Sequence, residues 1–204
     1  MSTELLLALF GFAAITLVTP GPNNMMLLAS GANFGYRPTI PHLFGISIGF
    51  GLMVVLVGMG LMTLFELYPP LQNVLKVISV AFLVWLAWKI AHSAAPGGTG
   101  PDGAGTDGPA RPIGFFQAAA FQWVNPKAWT MALTAIAAYA PERSLAAVAL
   151  IATTFLVLNF FSGSFWMLLG RETRRLLSNP RRLTIFNWTM AGLLLATLIP
   201  VVFA

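Results

Sequence analysis

Apolar positions in this chain come in long continuous runs rather than in alternation. Six runs cover about 4–31, 42–66, 71–92, 113–140, 144–169 and 182–203. A helix needs roughly 20 apolar residues to cross a hydrocarbon core of about 30 Å, so each run predicts a membrane-crossing helix. A transmembrane barrel would need short strands of alternating polarity, which these runs are not. The pattern predicts an all-α polytopic membrane protein of six transmembrane helices.

Two of the runs are interrupted. The first carries "TPGPN" at 19–23, and the fourth carries "NPK" at 125–127. Between the third and fourth runs lies "APGGTGPDGAGTDGPARP", residues 95–112, with six glycines, four prolines and no large apolar side chain. That composition reads as a flexible, solvated linker. It divides the chain into a three-helix repeat over 1–94 and a second over 113–204.

Lysine and arginine placement gives an orientation. With the N-terminus outside, the inner side receives Arg37, Lys89, Arg111, Arg171, Arg174, Arg175, Arg181 and Arg182, and the outer side receives Lys76, Lys127 and Arg143. Eight against three places both termini in the periplasm and the linker in the cytoplasm. The two repeats are then inverted relative to each other. Each begins with its broken helix, and breaks at corresponding positions of two halves point to a transporter binding site.

The breaks carry specific chemistry. Pro20 and Pro22, with Gly21 between them, remove backbone donors and leave carbonyls unpaired. Each orphan would cost several kcal/mol in lipid, so such a break survives only where protein or water satisfies it. The restarted helix presents free N–H groups and about +0.5 of a charge, which suits a carboxylate. Asn23 and Asn24 lie at this restart, where one is expected to cap the helix and the other to offer both a donor and an acceptor. At the second break Asn125 precedes Pro126, a residue favoured at the first helical position. Lys127 follows, and Gln117 and Gln122 lie upstream. A lysine at membrane depth is expensive and marks function by default; the alternative is a structural bond to a carbonyl. The expected substrate-binding set is Pro20, Gly21, Pro22, Asn23, Asn24, Gln122, Asn125, Pro126 and Lys127.

Composition narrows the field. The chain is 57% hydrophobic and 8% charged, against about 25% charged in soluble domains. The net charge of +5 does not point to nucleic acid, because five arginines fall within 171–182, between two apolar runs. There is no cysteine, which excludes disulfide and thiol chemistry. Residues 1–18 lack a basic start and carry Glu4, so this segment is expected to stay in the mature protein. His42 and His92 sit near run ends, where interfacial roles are expected. Gly45 and Gly49 permit close helix contact, within the chain or across a homodimer. Asn159 reads as an interhelical hydrogen bond or a site residue, and Trp85, Trp88 and Trp188 as interface anchors or core. No carboxylate lies in the middle of a run, which disfavours a hard-cation transporter. No cofactor and no enzyme chemistry is implied.

"TPGPNN" at 19–24, "GANFGYR" at 31–37, "GISIGFG" at 45–51, "WLAWKI" at 85–90 and "FQWVNPKAW" at 121–129 together resemble the LysE/RhtB family of amino-acid exporters, over nearly the whole chain. The detail is most similar to its cysteine/O-acetylserine efflux branch. The resemblance implies an inner-membrane exporter of small amino acids, driven by the proton gradient, and a homo-oligomer. The family's first break falls on Pro20, Gly21, Pro22 and Asn23, and its second on Asn125, Pro126 and Lys127. Some members carry an acid in the second or fifth segment, where this chain has Phe50 and Asn159.

Alternating-access export of a small zwitterion is therefore the leading expectation. A metal-ion or other small-solute transporter on a related six-helix scaffold is the alternative. The orientation is tested by fusions: an extracytoplasmic reporter at residue 204 should be active and one within 97–108 silent, and the reverse pattern overturns the topology.

Overall fold

Helices form wherever the apolar runs predict them, and prolines and glycines set most of their ends. The computed structural model describes residues 2–61, 67–68, 70–92, 111–140, 144–177 and 179–199. Among these no strand occurs. The helices are α1 (Thr3–Val18), α2 (Pro22–Phe34), α3 (Tyr36–Leu56), α4 (Pro70–Ala91), α5 (Phe115–Gln122), α6 (Pro126–Tyr139), α7 (Leu145–Leu176) and α8 (Pro180–Ala196). A π-turn, Val57–Leu61, extends α3. The linker lies outside the described residues apart from 111 and 112, as do Glu66, Glu142, Arg143 and the last five residues.

Among the described residues, three helices are long and apolar enough to cross a membrane: Tyr36–Leu61, Asn73–Ala91 and Leu145–Thr173. α1 and α2 qualify together, bent by 53° at the first break. The fourth expected segment is divided between α5 and α6, and the sixth is described only as far as residue 199. α5 has eight residues before its break, and α8 has 17.

Two boundaries differ from expectation. The second segment starts at Tyr36 rather than at 42, and it contains Pro41. Thr39 Oγ1 helps hold this first turn by donating to the Gly35 carbonyl at 2.8 Å. Gly35 ends α2 and starts α3, at φ 86°, a left-handed conformation that favours glycine. At the other end, α7 runs past Gly170 through Arg171 to Leu176. The arginine stretch expected as a loop is therefore partly helical.

The inward shift of the α3 start changes His42. It is wholly buried, not interfacial. His92, by contrast, is exposed between the rings of Trp88 and Trp188, at 4.8 and 5.6 Å. Those two tryptophans and Trp85 lie on the outer face.

α2 is the centre of the bundle. Every residue from Asn24 to Asn33 is buried. Its polar groups are paired internally, as a membrane interior requires. Asn33 donates to Asn187 of α8 at 3.0 Å, and Ser30 shares a hydrogen bond with Thr39 of α3 at 3.0 Å. α2 and α7 run parallel in close contact. A Cβ added at Gly31 would overlap the Met167 carbonyl, and one at Gly170 would overlap that of Leu28. α3 and α7 run antiparallel, with Leu43 against Gly163 and Gly58 against Val148. Gly45 and Gly49 meet Phe115 and Ala119 of α5, so this pair serves packing within the chain.

Apolar cores fill the gaps. One joins α1, α3, α6 and α7 through Leu9, Phe50, Met131 and Phe155. Another joins α2, α4 and α8 through Met26, Leu86 and Leu194. Large apolar side chains also cover the outside, including Phe116 at 83% and Phe161 at 66% exposure. Lipid accommodates that surface at no hydrophobic cost.

Gly170→Leu should lower the unfolding temperature in detergent, because overpacking costs about 1–3 kcal/mol. Gly192→Ala, which meets nothing within 4 Å, should not. Equal melting of the two variants would refute the close α2–α7 contact.

Candidate functional site

The first break is built by its own sequence. Thr19 ends α1, with its N–H and hydroxyl both donating to the Ile15 carbonyl. Gly21 is extended, and Pro22 opens α2 at a position that needs no amide donor. Neither asparagine caps the helix, since the N-cap is Gly21. Asn24 turns back instead. Its amide donates to the Leu17 carbonyl at 2.8 Å and the Thr19 carbonyl at 2.9 Å, two groups left over at the end of α1. Ser162 of α7 also donates to Leu17, at 3.0 Å.

The second break lies slightly upstream of "NPK". The last turn of α5 tightens, with Trp123, Val124 and Asn125 each donating three residues back. Asn125 then caps α6 by accepting from the Lys127 N–H at 3.1 Å, and Pro126 takes the first helical position as expected. Trp129 Nε1 satisfies the Trp123 carbonyl at 2.9 Å.

The two breaks meet. Lys127 Nζ donates to the Thr19 carbonyl at 2.6 Å. Gly21 makes room for this lysine, because a Cβ there would come within 2.8 Å of Lys127 Cδ. Beside it, Asn23 and Gln122 form a reciprocal amide pair. Asn23 Nδ2 donates to Gln122 Oε1 at 2.9 Å, and Gln122 Nε2 donates to Asn23 Oδ1 at 3.1 Å. Gln122 also donates to Ala118 of its own helix.

A small cavity opens against this junction. Of the expected residues, Gly21, Asn23, Asn24, Asn125 and Lys127 line it. Pro20, Pro22, Gln122 and Pro126 shape or brace it without lining it. Thr16, Leu17, Met131 and Asn159 line it as well and were outside the expected set. Met131 lies one helical turn after Lys127, a spacing that could have flagged it. Asn159, which reads as either an interhelical hydrogen bond or a site residue, faces the cavity. Thr16 carried no signal inside its apolar run. Lys127 supplies the only charge in the lining, against amides, a hydroxyl and backbone carbonyls. The cavity therefore offers one cation and several neutral donors and acceptors, with no nucleophile–base pair.

A helical bundle apolar on its outside, with two interrupted helices meeting at a polar cavity, is the architecture of a membrane transporter. The family model of LysE type translocators matches residues 14–201, and the chain belongs to that family. It is 34% identical over 179 residues to the cysteine/O-acetylserine efflux proteins of Escherichia coli (strain K12) and Shigella sonnei (strain Ss046), covering 86% of this chain and 87% of each relative. No solved structure matches the chain.

A double-mutant cycle checks the amide pair. Asn23→Leu or Gln122→Leu alone should destabilise by about 1–3 kcal/mol, since the partner amide is left unpaired. The double variant should cost less than the sum of the two. Strict additivity in detergent unfolding would show that the pair does not form.

Proposed function

We propose that this protein exports small zwitterionic amino acids or close derivatives across the bacterial inner membrane by alternating access. The observation that carries the reading is the bond from Lys127 Nζ to the Thr19 carbonyl. It joins a cation to a backbone acceptor, which Asn24 also bonds, across the meeting point of two helix breaks. A zwitterion inserts into that bond with its ends matched. Its carboxylate takes the lysine, and its ammonium takes the Thr19 carbonyl. Asn23, Asn24 and Asn125 then supply neutral hydrogen bonds around it, and the N–H groups at the start of α2 and α6 favour the carboxylate.

The activity of the relatives, cysteine and O-acetylserine efflux, fits this chemistry. Both are small, and neither side chain carries a charge that would need a counter-ion in the lining. Six spans in two inverted repeats agree with the packing directions, α2 parallel to α7 and α3 antiparallel to α7. The charge asymmetry supports periplasmic termini. The proton gradient is the driving force we assign to export.

Purified protein in liposomes tests the reading. Labelled cysteine, O-acetylserine and lysine are loaded, and their release is followed with and without a pH gradient. Faster release of the first two supports it, and release of none above protein-free liposomes sinks it. Lys127→Met should abolish release while the protein still inserts, because the carboxylate loses its counter-charge. Asn23→Leu should weaken binding by only about 0.5–1.5 kcal/mol, the net worth of a neutral hydrogen bond.

A further inference from the structure

His42 is wholly buried, and neither ring nitrogen has a hydrogen-bond partner. Among the described residues it is the only titratable side chain buried to this degree. An imidazole has a donor and an acceptor in its neutral form and two donors when protonated. Leaving such groups unmet in the interior is costly, whereas leucine in the same place would pack without that penalty. The packing here does not use the ring's polarity.

The position of His42 indicates what does use it. His42, Gly45 and Gly49 are spaced to share one face of α3. That face packs on α5, where Gly45 meets the Phe115 carbonyl. His42 lies one turn earlier, level with the stretch that leads into α5. In that stretch Arg111 is the one charged residue, and it is exposed. The other neighbours of α3 are α2, α6, α7 and the π-turn. α2 and the π-turn contain no titratable residue. α7 carries Arg171, Glu172, Arg174 and Arg175 only in its last two turns, beyond Ser164, which pairs with Tyr36. α6 carries Lys127 and Tyr139, and it packs toward the far end of α3, where Gly58 meets Ile136. On α3 itself Tyr36 and Arg37 lie in the first turn. Among the described residues, these elements place no carboxylate level with the ring.

We propose that His42 couples protonation to opening of the bundle. Taking a proton from water gives an imidazolium with two N–H donors, and the packed arrangement offers neither an acceptor. Acceptors become available only when α3 and α5 part and water enters. The proton is returned to water before the face closes again. This gives a transporter without a mid-membrane carboxylate a titratable group that binds and releases a proton with its conformational cycle. The inference rests on the transport reading for its purpose, but its test needs no substrate.

The chain has no cysteine, so a single reporter is clean. Ala118→Cys places a thiol on α5 beside Gly45, on the face that must open. Labelling by a small neutral maleimide is followed at pH 8 and pH 5.5 in liposomes, each rate being divided by that of a free thiol at the same pH. With His42 present, the normalised rate should rise at least fivefold as the pH falls. With His42→Leu or His42→Gln it should be flat, and the glutamine variant keeps the test alive if leucine prevents folding. Equal pH dependence with and without His42, or none in the parent, overturns the proposal. Failure of the parent to release any amino acid would instead sink the transport reading and leave the labelling result standing.

Discussion

A helix interrupted inside an apolar bundle leaves carbonyls with no water to bond, and the Thr19 carbonyl is where this chain meets that constraint. It accepts from Asn24 of the restarted helix and from Lys127 of α6. The first bond ties α2 back onto α1. The second fixes where the second break sits relative to the first. Gly21 leaves the lysine chain room beside it, and the Lys127 N–H is held by Asn125. Both halves of the site are thus referenced to one oxygen atom.

The rest of the bundle positions that junction by clamping α2. Parallel contact with α7 through Gly31 and Gly170 brings backbone against backbone. Paired amides act at both ends of α2, Asn23 with Gln122 and Asn33 with Asn187. Hydrogen bonds of this kind have no competing water inside a membrane, so they set register as well as adding stability.

Much of this was legible in the sequence, because prolines and glycines announce helix breaks by removing donors and side chains. "TPGPN" and the Asn-Pro step gave both interruptions and the cap at Asn125. The misreadings share one cause, which is that local pattern does not report tertiary position. The second apolar run starts at 42, yet the helix begins at Tyr36 and takes His42 with it into the interior. Asn24 looked like a cap, but the leftover carbonyls of α1 are better acceptors for it than any group in α2. The fifth apolar run ends at 169, but the helix continues through Gly170, whose missing side chain serves contact with Leu28. The Asn23–Gln122 pair joins residues 99 apart, a distance that periodicity does not cover.

Gly35 is the whole connection between α2 and α3. There is no slack in a one-residue joint. The two helices meet at a fixed bend rather than across a loop, so the end of α2 sets where α3 starts. The glycine sets the geometry of that elbow, because its left-handed backbone conformation suits few other residues. The α3 segment that carries His42 is thereby tied to the asparagine end of α2 with no intervening loop.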